Sequence, residues 1–496
     1  MQLGDMLVAR GLVTQNDIDA ALARQVKEGG RLGENLIAMG RVSADQIAAV
    51  INSAPAIPGS LEETGISERN LLYLMLKFMH VEACETVLEL ANNMKLPRRV
   101  VQQLVEAAIH QRYLGATGAT SDLALSTHYA LTEAGRGAAR EALDINLYLG
   151  PAPVSLNAYR EQIQKQRITN EMMEEETLRN GFSGLVVPEA MIRRLLPAIN
   201  AGRSVLLYGP PGNGKTTLST RIAALFKDPA YIPYAIEVGG QIIKIFDTQI
   251  HKPKQTAETT THAPSALGMH RETFDQRWAA CDRPIVMAGG EMTLEMLDLQ
   301  WNTEARFYDA PLHVKALNGM MLIDDFGRQK FAPNDLLNRW IVPMESQIDF
   351  MKLNTGASFT LPFDVLLMFS TNLQPSDLMD AAFLRRIQYK IKLFEPTIEE
   401  YHQIFFGVAK SRGLSLDEDV FHYVVRKLAP FGLAYYQPRF ILDHALETCK
   451  SFKLPPQLTK ELAGEALANL YVDIEGSLAE DGEAVATPPP VIQSFA

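Results

Sequence analysis

Apolar residues recur along this chain in two rhythms. From the N-terminus to about residue 200, and again from 396 to 474, they fall at helical spacing. Between 201 and 395, continuous apolar runs interrupt helical stretches. Three runs are short and apolar but for a terminal serine in two: Ser204-Val205-Leu206-Leu207-Tyr208, Met320-Met321-Leu322-Ile323 and Val365-Leu366-Leu367-Met368-Phe369-Ser370. Such runs suit strands buried on both faces, and their alternation with helices predicts an α/β fold with a parallel sheet. Tyr234 to Val238 and Gln241 to Phe246 flank Gly239-Gly240, the signature of a two-residue hairpin. Residues 250–272 are polar and read as loop.

The first fifty residues repeat internally. Leu3-Gly4, Leu7, Gly11, Val13-Thr14 and Ile18 return as Leu32-Gly33, Leu36, Gly40, Val42-Ser43 and Ile47. Each copy predicts a short helix, a glycine C-cap, a Thr or Ser N-cap and a second helix. Residues 52–66 read as a linker. Helices follow over 71–79, 84–92 and 97–111, then a small polar stretch, a strand at His128–Thr132 and a helix over 133–143. Gly150-Pro151-Ala152-Pro153 is a stiff break, and 155–200 reads as helical. The expected domains are 1–52, 66–145, a helical linker 146–179, an α/β core 180–395 with an insertion around 228–315, a helical lid 396–474 and a disordered tail 475–496.

Composition adds bounds. At 496 residues several domains are expected, and 47% hydrophobic with 21% charged residues is ordinary for a globular chain. A net charge of −11 argues against wholesale coating of nucleic acid. Cys84, Cys281 and Cys449 are scattered without a CxxC pair, which predicts reduced thiols and a cytoplasmic protein. No apolar run reaches the roughly 18–20 residues of a membrane span. His251, His262 and His270 fit no compact metal-ligand spacing.

The chemistry centres on Gly209-Pro210-Pro211-Gly212-Asn213-Gly214-Lys215-Thr216-Thr217, between an apolar strand and the helical pattern Leu218–Phe226. That is the required context of a phosphate-binding P-loop. Glycines let successive N–H groups face phosphate oxygens, and the helix N-terminus adds positive potential. Lys215 would reach the outer phosphates, and the Thr216 hydroxyl would hold Mg²⁺. The run ending in Asp324-Asp325 places carboxylates at a strand's C-terminal end. Asp324 would bind Mg²⁺ and Asp325 would polarise the attacking water, with Glu291 and Glu345 as alternative bases. Asn372, after the third run, could orient that water. Arg385 or Arg386, in Asp380-Ala381-Ala382-Phe383-Leu384-Arg385-Arg386-Ile387, suits an arginine finger. Gln437-Pro438-Arg439 opens a later helix, and Gly184-Leu185-Val186-Val187-Pro188 could lie against adenine.

In this order the motifs resemble those of the AAA+ ATPases over residues 180–474. The resemblance implies ATP and Mg²⁺ as cofactors, a helical lid carrying a sensor arginine at Arg439, and a homo-oligomeric ring, expected to be a hexamer, acting on a protein client. The repeat at 1–52 resembles the N-terminal domain of type II secretion and type IV pilus assembly ATPases. That resemblance implies cyclic di-GMP as a possible ligand of Arg31, Leu32, Gly33 and Leu36. The first copy has Gln2 where an arginine would stand, and glutamine brings no cation. A plain helical docking module remains the alternative. Residues 66–145 resemble a winged helix whose third helix would offer Arg98, Arg99, Gln102, Gln103 and Arg112 to DNA. The rival functions are therefore a pilus or secretion assembly ATPase, an ATP-gated DNA-binding protein and a small-molecule kinase.

Overall fold

The computed structural model describes residues 4, 7–8, 11–28, 32–43, 46–47, 54–119, 127–254, 274–379 and 381–471. Gln2, Leu3, Arg31, His262, His270, Asp380 and the tail 475–496, which the sequence singles out, lie outside them. The chain divides into two compact units. The first contains the segments up to Gly181, Glu189–Tyr208 and Ser219–Ile391. The second contains Phe182–Pro188, Gly209–Leu218 and the chain from Lys392 onward.

In the first unit the N-terminal repeat closes both copies in the same way. Gly11 and Gly40 each have φ +66. Leu12 N–H reaches the Leu7 carbonyl and Gly11 N–H the Val8 carbonyl; Arg41 with Leu36 and Gly40 with Ile37 repeat the pair. These are Schellman caps, which consume helix-end carbonyls and need a left-handed residue. Thr14 and Ser43 then cap the next helices through Asp17 and Gln46. Leu7, Val13, Ile18, Leu36, Val42 and Ile47 form one core, with Leu32 packed against it. Arg41 pairs with Asp17 across the copies at 3.0 Å.

Helices Glu68–Val81, Val87–Met94 and Arg98–His110 lead to a hairpin of β1 (Leu114–Ala119) and β2 (Thr127–Leu131), then helix Glu133–Ile145. They share a core that includes Leu71, Met75, Leu104 and Ala139. The segment before them departs from the linker expectation. Thr64 is buried; its Oγ1 donates to the Leu61 carbonyl and accepts from Ile66 N–H. The Thr64 carbonyl accepts from Arg277 Nη1 at 3.0 Å, and Pro55 accepts from Asp275 N–H.

The remainder of the first unit is built on two five-stranded sheets. Its strands are β3 (Val154–Ser155), β4 (Val205–Tyr208), β5 (Ala230–Pro233), β6 (Ala235–Val238), β7 (Gln241–Lys244), β8 (Trp278–Cys281) and β9 (Ile285–Ala288). They continue with β10 (Gln300–Asn302), β11 (Phe307–Asp309), β12 (Gly319–Ile323), β13 (Ile348–Lys352), β14 (Ser358–Pro362), β15 (Val365–Thr371) and β16 (Tyr389–Lys392). One sheet runs β10-β11-β7-β6-β3. Its β6–β7 hairpin turns at Gly239 and Gly240, with φ +58 and +78, as a type I′ turn requires. Val154 and Ser155 pair with β6, and Tyr159 and Ile163 enter the core, so part of the expected helical linker is built into this sheet.

The other sheet runs β16-β4-β15-β12-β9, with β4, β15, β12 and β9 parallel. Numbered along the chain, that is the order 5-1-4-3-2. The first strand therefore lies beside the fourth, and the fourth beside the third. Thr371 is in register with Tyr208, and Ile323 with Phe369. The C-terminal ends of β4, β15 and β12 thus emerge side by side, where open α/β sheets bind ligands. In the second unit, helices Ile398–Arg412, Glu418–Leu428, Gln437–Phe452 and Lys460–Leu470 pack around Tyr401, Phe405, Phe421, Leu442 and Leu467. Among the described residues no helix is long and apolar enough to cross a membrane.

Candidate nucleotide site

β4 ends at Tyr208, and the glycine loop turns directly into helix Lys215–Ala223. Its glycines adopt backbone angles that side chains resist: φ +139 at Gly209, +76 at Gly212 and +75 at Gly214. A Cβ on Gly209 would stand 2.2 Å from the Leu393 carbonyl oxygen, and one on Gly212 would stand 2.2 Å from Cδ1 of Tyr436. Pro210 is half-buried and Pro211 exposed at the turn between them. Asn213 is buried, and its Nδ2 donates to the Phe394 carbonyl at 3.2 Å. The loop is therefore held in shape by the chain from Lys392 onward.

Lys215 is 6% exposed, and its Nζ donates to the carbonyls of Gly209 at 3.0 Å and Pro210 at 2.8 Å. These are neutral acceptors. A phosphate oxygen would make a stronger, charge-assisted bond with the same ammonium. Thr216 is half-buried and Thr217 exposed, both in the first helical turn. The segment Phe182–Pro188 belongs to the same unit, with Leu185, Val186 and Val187 half-buried.

Tyr436 is not among the residues that sequence singles out, although it precedes Gln437-Pro438-Arg439. Its hydroxyl lies 3.3 Å from that of Tyr471, which also accepts from Gln437 Nε2 at 2.8 Å. Tyr471 stacks on Phe431 with centroids 4.2 Å apart. Burial pushes the Tyr436 phenol up to about 12, so it stays a neutral donor at physiological pH. Arg439 is 74% exposed and pairs with Asp443 at 3.5 Å, which also holds Arg412 at 2.8 Å.

In the first unit, Asp324 and Asp325 follow β12 at the C-terminal edge of the sheet. Asp324 N–H continues the ladder to the Ala288 carbonyl. Asp325 then breaks into the left-handed region at φ +49, and its N–H returns to Asp324 Oδ1. Gln329 holds this turn from the far side: its Nε2 donates to the carbonyls of Asp324 and Asp325, and its Oε1 accepts from Gly327 N–H. Sequence offered no signal for Gln329, because the role exists only once the turn is formed. Asn372 Nδ2 donates to Asp325 Oδ1 at 3.3 Å, and buried Thr371 Oγ1 donates to the Phe326 carbonyl. Carboxylate and amide are thus brought together.

The alternative bases are engaged elsewhere. Glu345 pairs with Arg386 Nε at 2.7 Å. Glu291 accepts from Gly289 N–H, which holds its carboxyl below the usual range and weakens it as a base. Arg385 is exposed and Arg386 half-buried, both at the end of helix Ala381–Arg386.

Other readings meet a different geometry. His251 Nδ1 accepts from Asp247 N–H, and Nε2 faces the Lys315 carbonyl at 2.9 Å, so both ring nitrogens are occupied within the fold. Leu36 and Gly33 are buried and Leu32 is half-buried against the core of the repeat. Arg98, Arg99 and Arg112 are exposed, but Gln103 caps Leu61 N–H and Gln102 donates to Glu106. Among the described residues no cluster of three or more His, Cys, Asp and Glu side chains could cage a metal. Mg²⁺ does not require one, since it commonly takes one or two protein oxygens and completes its shell with phosphates and water. The Thr216 hydroxyl and Asp324 carboxylate are donors of that type.

A family model described as a domain of unknown function, DUF8689, matches residues 397–469, within the four-helix segment. A search of the curated proteins finds no match. Among solved structures, the chain is similar to a point mutant of RuvB from Thermotoga maritima at 16% identity, over 62% of this chain and 75% of that one, with a TM-score of 0.32. Domain III of the Thermotoga maritima replication initiation protein DnaA matches at 14% identity, over 58% and 95%, with a TM-score of 0.32. NtrX from Brucella abortus matches at 13% identity, over 57% and 55%, with a TM-score of 0.34.

Proposed function

We propose that this chain is a Mg²⁺-dependent ATPase of the AAA+ type. The observation that carries the reading is the loop of three positive-φ glycines that delivers Lys215 and Thr216 to a helix N-terminus directly after β4. The strand order 5-1-4-3-2 supports it, because it brings the ends of β12 and β15 next to the end of β4. In this reading Gly209–Thr217 cradle the phosphates and Lys215 neutralises the outermost ones. Thr216 and Asp324 would hold Mg²⁺, which would supply positive charge to the phosphoryl group in transfer. Asp325 takes the proton of the attacking water, and Asn372 orients the pair.

Arg386 is tied to Glu345, and either Arg385 or Arg386 is the candidate finger reaching a neighbouring subunit's nucleotide. Such a finger makes the active form an oligomer, proposed to be a hexameric ring. Helices 396–474 form the lid, where Arg439 is the sensor candidate and Tyr436 contacts the loop. Nucleotide cycling would move the lid and act on a protein client, with residues 1–145 as docking or regulatory modules. Three buried free thiols, Cys84, Cys281 and Cys449, support a reducing cytoplasm. Steady-state ATP hydrolysis and nucleotide affinity test the core claim. Lys215→Ala should lose binding, and Asp325→Asn should bind ATP while hydrolysing it at least about a hundredfold more slowly. Wild-type turnover in both variants would end the assignment.

A further inference from the structure

Arg385 and Arg386 share a pocket with Arg203, Met344, Glu345 and Gln388. Three separate pieces of chain build it, and the backbone fixes how they meet. Tyr389 N–H bonds the Ser204 carbonyl, and Ser204 Oγ donates to the Arg386 carbonyl. This stitches the start of β16 to the start of β4 and puts Arg203 beside the arginine pair. Lys390 Nζ closes the end of the arginine helix by donating to the carbonyls of Leu384 at 2.8 Å and Ile387 at 2.7 Å. The pocket therefore sits on rigid elements.

Its lining holds three guanidiniums and one carboxylate, Glu345, which is bonded to Arg386. Arg203 is half-buried, and its guanidinium has no hydrogen bond or ion pair among the described residues. A partly desolvated cation without a counter-charge is costly unless an anion completes it. Guanidiniums also match phosphate oxygens in a fork.

We propose that Arg203 joins Arg385 and Arg386 in binding the terminal phosphates of a nucleotide held by a second copy of this chain. The inference rests on the ATPase reading above. The sheet explains why the phosphate must come from another molecule. Arg203 lies before the N-terminal end of β4, whereas Tyr208, Ile323 and Thr371 end at the opposite edge. Four residues of strand separate the edges by about 13 Å. A nucleotide at the C-terminal edge of the chain's own sheet is beyond Arg203. Arg203 thereby becomes a third arginine acting in trans, and Glu345 is the counter-ion that Arg386 holds until the phosphate arrives.

Complementation tests this with the full-length protein. Arg203→Ala should lower kcat at least about tenfold while the affinity for a fluorescent ATP analogue stays within about twofold. Lys215→Ala, inactive by itself, still carries all three arginines. Co-expressed with Arg203→Ala, it should yield mixed assemblies whose ATPase exceeds the sum of the two variants measured separately. Arg203→Gln serves if the alanine variant misfolds, and Arg203→Lys should recover part of the rate. Wild-type kcat in Arg203→Ala, or no gain on mixing while wild-type protein hydrolyses ATP, overturns the inference and leaves the ATPase reading intact. Loss of salt-sensitive DNA retention in Arg203→Ala, with kcat unchanged, would also overturn it by assigning the pocket to a nucleic-acid backbone. If wild-type protein does not hydrolyse ATP at all, both readings fall.

Discussion

Replacing Asp325 by glycine should leave stability nearly unchanged and the protein nearly inactive. Asp325 holds φ +49 immediately after β12. A non-glycine residue in that region costs on the order of 1 kcal/mol, and aspartate somewhat less than most. Glycine removes the strain. The backbone bonds of the turn survive, because Arg328 N–H and Gln329 Nε2 both reach the residue 325 carbonyl. What disappears is the exposed contact from Asn372 Nδ2, at 3.3 Å. Such a bond is worth about 0.5 kcal/mol net. Glycine also frees the unfolded chain by about 0.4–1 kcal/mol, so the balance lies between zero and a destabilisation of about 0.5 kcal/mol. Loss of the carboxylate should slow hydrolysis at least about a hundredfold. Trp278, Trp301 and Trp340 all lie in the same unit as Asp325 and are the chain's only tryptophans, so their fluorescence in urea reports on that unit. Midpoints compared at equal m give the stability change. Destabilisation by more than about 1 kcal/mol would refute the strain argument. Hydrolysis within about threefold of wild type would show that the Asp325 carboxylate is not used.

Gly212→Ala should weaken ATP binding about tenfold or more, because its Cβ meets the Tyr436 ring at 2.2 Å and its φ is +76. Adding Tyr436→Ala should recover only part of that affinity in titration calorimetry, since the backbone strain persists; full recovery would mean that the clash alone mattered. Gly11→Ala and Gly40→Ala should each cost about 1 kcal/mol and by the same amount, as both have φ +66 and open space around a Cβ. Unequal losses by circular dichroism melting would break the repeat symmetry. Burial pushes the Lys77 ammonium down to about 8, below its ordinary 10.5. The unfolded chain then binds more protons than the folded one between those values, so stability rises with pH across that window. From pH 8 to 9.5 the gain should be on the order of 1 kcal/mol, and Lys77→Met should lack it in urea titrations.

What could be read from sequence was what local physics decides. β4, β12 and β15 are buried along their full length except for half-buried Tyr208. That burial leaves continuous apolar runs. Gly239-Gly240 is legible because a type I′ turn needs two residues at positive φ. The P-loop is legible for the same reason, since its glycines and Lys215 act within a few residues of each other. β9 escaped notice because its burial alternates and half of its four residues are exposed, which is an edge-strand pattern too short to identify. Residues 52–66 read as a linker because of their prolines, Gly59 and small residues, yet 54–66 are ordered. Their order comes from Arg277, more than two hundred positions away, whose guanidinium bonds both Thr64 and Pro153. Tyr436 meets Gly212 across a similar gap. Spacing offered no means of separating Arg385 from Arg386, or Asp325 from Glu345. The second question turns on one ion pair, between Arg386 and Glu345 at 2.7 Å, formed only when helix Pro333–Ser346 packs against the arginine helix. With that carboxylate engaged, Asp325 is the better candidate base. Arg203, in the same pocket, has a guanidinium with no hydrogen bond or ion pair among the described residues.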